Sequence, residues 1–303
     1  MSSYRFCRSD DIALLVGALN RCWVPYVPDE PAVTPAAFKR SIRDLQVWCS
    51  SCMVAFSGSD PIGVLIGAKR PSGTLVHRIA VHPDHRRQGH ARHMLTSLGS
   101  KLAILGPPRI VAEVPEALDA ACALFSASGY IQETVLTDCV LQREANHPRE
   151  PAGMSDDHNG RFVIPVTVDD LVANGLLGED HPPTCWKRSA ETLMARKDDI
   201  EGFAVATDER IVAYVLYVKP GGRPEGHAEA ANAPTVEIVS LRTFIEDGGT
   251  GVKQLLSRLR GQGMRAFRFP KVHPTEVSKA CLEALGFRPA GGHLLYAARA
   301  RSE

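Results

Sequence analysis

One programme of strands, turns and helices runs through this chain twice, and that repeat limits the fold more than any other feature. Residues 4–15, YRFCRSDDIALL, read as a short strand, an aspartate cap at Asp10 or Asp11, and an apolar helix. Residues 162–173, FVIPVTVDDLVA, repeat them with Asp169 or Asp170 as the cap. The hairpin MVAFSGSDPIGVLIG returns as FAVATDERIVAYVLY, and the strand TLVHRIAVHP returns as TVEIVSLRTF. Val81 and Leu241, Gly89 and Gly249, and Ala91 and Gly251 are each 160 positions apart. A glycine turn and a helix follow each of these strands. Ala91, Met94, Leu95, Leu98, Leu102 and Leu105 form the apolar stripe of the first helix, and Val252, Leu255, Leu256 and Leu259 that of the second. Each half then adds a strand, a helix ending in Gly-aromatic (CALFSASGY, CLEALGF) and closing strands.

The 303 residues suffice for two domains with a core each, and an apolar fraction of 44% is that of a globular protein. The expected division is 1–145, a polar Pro- and Gly-containing linker at 146–159, and 160–303. A second irregular insert is expected at 219–234. A net charge of +1 argues against a nucleic-acid partner, so any electrostatic recognition must be local. No apolar run is long enough to span a membrane and the N-terminus is charged, so no membrane partner and a cytoplasmic location are expected. Cys49 and Cys52 have redox or zinc spacing, but without a second pair or nearby ligand histidines they read as packing residues entering a strand, and no metal is expected.

The two glycine turns differ in charge. The stretch HRRQGHA at 85–91 opens a helix, whose first N–H groups lack intrahelical partners and attract anions. Gly89 allows close approach, Ala91 keeps the first turn free of bulk, and Arg86, Arg87 and Arg92 add charges suited to phosphate oxygens. Residues 82–93 hold three arginines against one aspartate, a net of +2. The matching window, 242–253, holds Arg242 and Lys253 against Glu246 and Asp247, a net of zero. The first turn is therefore the better anion site.

The segment RIAVHPDHRRQGHARHML resembles the cofactor-binding motif of the GNAT superfamily, the GCN5-related N-acetyltransferases. The pattern Arg/Gln-x-x-Gly-x-Gly/Ala is filled by Arg86, Gly89 and Ala91, behind Val81-His82-Pro83. The match extends into AEVPEALDAACALFSASGY, with Ala121, Leu124 and Gly129-Tyr130 in step. The resemblance implies an α/β fold with two tandem domains. Each would be a mixed, mostly antiparallel sheet with a splayed pair of central parallel strands and helices on both faces. It also implies that acetyl-CoA serves as co-substrate, its diphosphate held by Arg86, Arg87, Gln88, Gly89, His90, Ala91 and Arg92. Its pantetheine arm would pair with backbone groups of Ile79, Ala80 and Val81 as an added strand.

The chemistry implied is transfer of an acetyl group to the amine of a small-molecule or peptide acceptor, which requires a neutral amine and hence a base. His77 alternates with Ile79 and Val81 on the strand, and its ordinary pKa of about 6.5 suits that role. Many relatives place a tyrosine four residues before the Gly-aromatic pair; this chain has Phe125, expected to pack against cofactor or core. The register-equivalent residue in the second half is Leu282, so no tyrosine is supplied there. Cys122 and Ser126 are possible substitutes. Trp23 and Tyr26, in the loop NRCWVPYVPDEPAVTP, are candidates for the acceptor side, where Asp29-Glu30 would attract a cation. Two functions follow: an N-acetyltransferase whose N-terminal half is active, or a non-catalytic acetyl-CoA-binding sensor or scaffold. Fused copies packing as an internal pseudo-dimer predict a monomer or a weak homodimer.

Overall fold

The computed structural model describes residues 2–28, 30–142, 160–178, 183–219, 235–245, 247 and 249–301. The expected linker, positions 220–234 of the insert, Asp29 and Glu246 lie outside the described residues. Two compact units divide the chain. The first holds residues 1–134 with 294–303, and the second holds 135–224 with 229–293.

The first unit is assembled from β1 (Ser2–Phe6), α1 (Ile12–Cys22), α2 (Pro35–Leu45), β2 (Met53–Ser57), β3 (Asp60–Arg70), β4 (Gly73–Val81), α3 (His90–Leu105), β5 (Arg109–Pro115) and α4 (Asp119–Ala127). Its sheet runs β1-β2-β3-β4-β5 and closes on the end of β12 (Arg288–Arg299). The N–H of Ala300 donates to the carbonyl of Pro108 beside that edge. Residues from the far C-terminus thus complete a sheet whose other strands all lie within the first 115 positions. Met94, Leu95, Leu98 and Leu102 of α3 and Phe125 of α4 fill one face against β2–β5, each such side chain contributing roughly 1.5–3 kcal/mol. Leu105, expected to close the α3 stripe, is 68% exposed because it lies in the last turn; its carbonyl accepts from the Lys69 ammonium. The helix α1 packs on β3 and β4 through the buried Leu15 and Leu19.

The second unit repeats the plan with β7 (Phe162–Val166), α5 (Val168–Ala173), α6 (Ala190–Ala195), β8 (Ile200–Ala206), β9 (Ile211–Val218), β10 (Thr235–Thr243), α7 (Thr250–Gly261), β11 (Ala266–Val272) and α8 (Lys279–Ala284). Its sheet runs β7-β8-β9-β10-β11 and closes on β6 (Ile131–Gln142), where Leu141 faces Phe267 and Cys139 faces Phe269. Alternation along β9 divides its residues between two cores. Ala213, Val215 and Tyr217 face α7 and α8, while Tyr214, Leu216 and Val218 face α5 and α6. The expected α/β architecture is present in both units.

The helix starts correct the expected caps. Asp11 precedes α1 but makes no cap bond to it; its carboxylate instead takes two bonds from Arg5 and one from the N–H of Arg8, which holds it below the usual carboxylate range. In the second unit the cap is Thr167. Its hydroxyl accepts from the N–H of Asp170, whose carboxylate returns to the N–H of Thr167 as a capping box. Cys52 is fully buried, and its thiol is pushed up by that burial. No cluster of potential metal ligands occurs among the described residues. Nor is any helix there long and apolar enough to cross a membrane.

Candidate active site

The site begins where two parallel strands part. β4 and β5 pair only at Thr74–Ile110 and Leu75–Val111, although β4 continues to Val81 and β5 to Pro115. At the fork, β4 carries a bulge. Gly67 faces Val76 and Ile66 faces Arg78, so His77 is the extra residue between them. Val76 and Ile79 both join the core under α3, three positions apart, where unbroken alternation would put them on opposite faces. The alternation expected through His77, Ile79 and Val81 therefore holds only from Ile79 onward. Arg78 instead lies with α1, its guanidinium 5.2 Å from the ring centre of Trp23.

Beyond the bulge the pairing with β3 is regular, from Ile66–Arg78 to Gly63–Val81. The N–H of His82 donates to Ile62 on β3. The trans peptide therefore turns the Val81 carbonyl away from β3, toward the fork. By the same alternation Ile79 presents its backbone to the fork and Ala80 to β3. The gap-facing backbone groups are those of Ile79 and Val81.

After β4 the chain makes a tight turn through Pro83–His85 and reaches α3 through two left-handed residues, Arg87 at φ 62 and Gly89 at φ 82. Glycine meets the second requirement at no cost; the first costs about 1–3 kcal/mol and lies at the mouth of the site. Among the described residues nothing accepts from the N–H groups of Gly89, His90 and Ala91. Arg86, Arg87, Gln88 and Arg92 are exposed around them. The His90 side chain turns the other way: it is 5% exposed, its Nδ1 lies 2.6 Å from the Tyr4 hydroxyl, and its Nε2 is buried with no partner among the described residues. Burial lowers its pKa, helped by His85 and His93, so the ring is neutral near pH 7. His90 can meet an anion through its backbone only.

The corresponding start in the second unit is filled by the chain itself. α7 also follows a left-handed glycine, Gly249 at φ 80. One carboxylate oxygen of Asp247 accepts from the N–H of Gly249 at 3.1 Å, and the other accepts from that of Gly251 at 3.0 Å. Arg161 closes the arrangement at 2.9 Å from Asp247. Sequence charge predicted repulsion of an anion here; the carboxylate in fact occupies its seat. Glu237, the counterpart of His77, is half-buried on β10 and faces Arg268 across the parallel pair.

Phe125 is buried, 5.1 Å from the Tyr130 ring and 5.8 Å from the Tyr296 ring, almost parallel to the latter. The Tyr296 hydroxyl lies 3.5 Å from Ser126 Oγ. A tyrosine thus does stand beside the helix that lacks one, brought by β12 and out of register with the repeat. Cys122 Sγ points back at the Pro115 carbonyl, 3.8 Å away. On the α1 side, Trp23 Nε1 donates to Glu30 at 3.4 Å, and Glu30 lies 3.9 Å from Arg78. Tyr26 is tied to the strand end, its hydroxyl donating to the Val81 carbonyl at 2.6 Å.

Residues 15–130 match the model of the Acetyltransferase (GNAT) family. Across the whole chain the fold is similar to that of a tandem GNAT protein from the clavulanic acid biosynthesis pathway, at 15% identity, 100% coverage of both chains and a TM-score of 0.65. It is also similar to a GCN5-related N-acetyltransferase from Sphaerobacter thermophilus, at 14% identity, 99% and 96% coverage and a TM-score of 0.62. A putative acetyltransferase from Pyrococcus horikoshii gives 13% identity, 100% and 90% coverage and a TM-score of 0.58. At these identities the three likenesses concern the fold. Together with the fork, bulge and open helix start just described, the family match identifies residues 15–130 as an acetyltransferase (GNAT) domain, and the chain as a whole shares its fold with tandem GNAT proteins.

Proposed function

We propose that the first unit transfers an acetyl group from acetyl-CoA to the amine of a small-molecule or peptide acceptor, and that the second unit binds no cofactor at its glycine turn. One contrast carries this reading. The N–H groups of Gly89, His90 and Ala91 are open among arginines, whereas those of Gly249 and Gly251 are taken by Asp247. The residues of the first unit fit acetyl-CoA: a left-handed turn and helix start for the diphosphate, Arg86, Arg87 and Arg92 for its charge, and the Ile79 and Val81 backbones for an added strand. Acetyl-CoA would supply the activated acyl group and a thiol leaving group. His77, at the bulge where the fork opens, is the candidate to accept the proton of the acceptor amine. A thiol has an ordinary pKa near 8.5, so its thiolate leaves readily and water can protonate it, which lets Phe125 stand where relatives carry a tyrosine.

The buried ring of Phe125, which brings no hydroxyl, favours the second reading, a cofactor-binding sensor. Thiol release in the presence of a panel of small amines and peptide N-termini separates the two. Transfer predicts amine-dependent thiol release that His77→Ala lowers by roughly a hundredfold or more, with acetyl-CoA affinity retained. A sensor predicts binding with no amine-dependent release.

A further inference from the structure

The turn Val24–Tyr26 follows α1, and the contacts of Tyr26 run to the end of β4 and to the anion turn. Its hydroxyl donates at 2.6 Å to the Val81 carbonyl, the backbone group at the end of β4 that faces the fork. Its ring lies 5.7 Å from the guanidinium carbon of Arg86, the first arginine of the anion turn. Both partners are groups that acetyl-CoA would claim, one through its arm and one through its diphosphate. Trp23 and Glu30, at the ends of the same segment, are held instead by Arg78, on the face of β4 away from α3.

We propose that Tyr26 is a positioning residue that couples cofactor binding to the acceptor side. Its hydroxyl competes with the cofactor arm for the Val81 carbonyl, and its ring competes with the diphosphate for Arg86. Cofactor binding releases the middle of the turn while Trp23 and Glu30 keep its ends anchored on Arg78. This rests on acetyl-CoA binding in the first unit, as argued above. A neutral hydrogen bond of ordinary net strength sets the competition at roughly two- to tenfold in affinity.

The test uses the full chain and Tyr26→Phe, which keeps the ring of this 43% exposed residue and removes the competing hydroxyl. Acetyl-CoA affinity is measured by calorimetry, and exchange of the Tyr26 and Val27 amides, both bonded within the turn, by hydrogen–deuterium exchange. The variant is expected to bind acetyl-CoA roughly two- to tenfold more tightly. Saturating acetyl-CoA is expected to speed amide exchange in the turn of the wild type, and to do so less in the variant. Equal or weaker binding by the variant, or a turn whose exchange ignores acetyl-CoA, overturns the coupling. A wild type that binds no acetyl-CoA is a different result, and it removes the reading of the first unit itself.

Discussion

The carboxylate of Asp247 sits 3.0 Å from the N–H of Gly251, inside the first turn of its own helix and on the group where an anionic ligand would settle. The same carboxylate takes the N–H of Gly249 and pairs with Arg161. The glycine turn of the second unit is thus capped by a side chain of the same chain. Asp247→Ala leaves two N–H groups and Arg161 without this partner, and is expected to destabilise the second unit by about 1–2 kcal/mol. Chemical denaturation checks this. Acetyl-CoA stoichiometry should not change, since the sequence of this turn has no run of arginines like Arg86, Arg87 and Arg92.

Arg188 and Glu276 of the second unit form a buried ion pair, with side chains 1% and 0% exposed. Arg188 donates both to Glu276 and to the Lys271 carbonyl, against the face of Phe269. Removing one partner strands a buried charge, so Glu276→Ala is expected to cost about 3–5 kcal/mol. Urea denaturation measures the loss.

Tyr296 belongs by packing to the first unit and by position to the last strand of the chain. Tyr296→Ala opens a cavity beside Phe125 and is expected to cost about 3–5 kcal/mol, while Tyr296→Phe gives up only a long contact to Ser126 and is expected to stay within 0.5 kcal/mol or so. A chain ending at His293 should lose acetyl-CoA binding although every residue of the anion turn remains. Thermal unfolding and calorimetry of the three variants test the point.

Acid should weaken the first unit through His90. Burial lowers the pKa of this ring in the folded state, so the unfolded chain binds the proton more readily. The His90 contribution is present above the ordinary histidine pKa of about 6.5 and is lost as pH falls through the depressed folded value. The melting temperature is expected to decline below about pH 6.5, and to decline less steeply in His90→Leu.

The repeat and the glycine turns are legible in the sequence because periodicity, strand ends and glycines are written in adjacent letters, whereas the fork is expected only through the family resemblance. The contrast between the halves was legible as charge, though not as the self-made cap of Asp247, which needs Arg161 from 86 positions away. Three features escaped for the same reason. The bulge at His77 depends on the register of β3 and broke an alternation that the strand alone suggested. His90 lies in a basic turn by sequence, but its ring is buried against Tyr4 of the edge strand β1, 86 positions away. The placing of Tyr296 depends on which sheet the last strand joins, and closing strands of similar pattern at 131–142 and 288–299 do not encode that choice.

In the proposed function one helix start is open to a diphosphate and the other is filled by Asp247. Titrating acetyl-CoA into the intact protein and into the Arg86→Glu/Arg87→Asp variant tests it most directly. One site per chain, lost in the variant while its melting temperature holds, is the predicted result. Two sites, or one site that survives the charge reversal, would contradict the account.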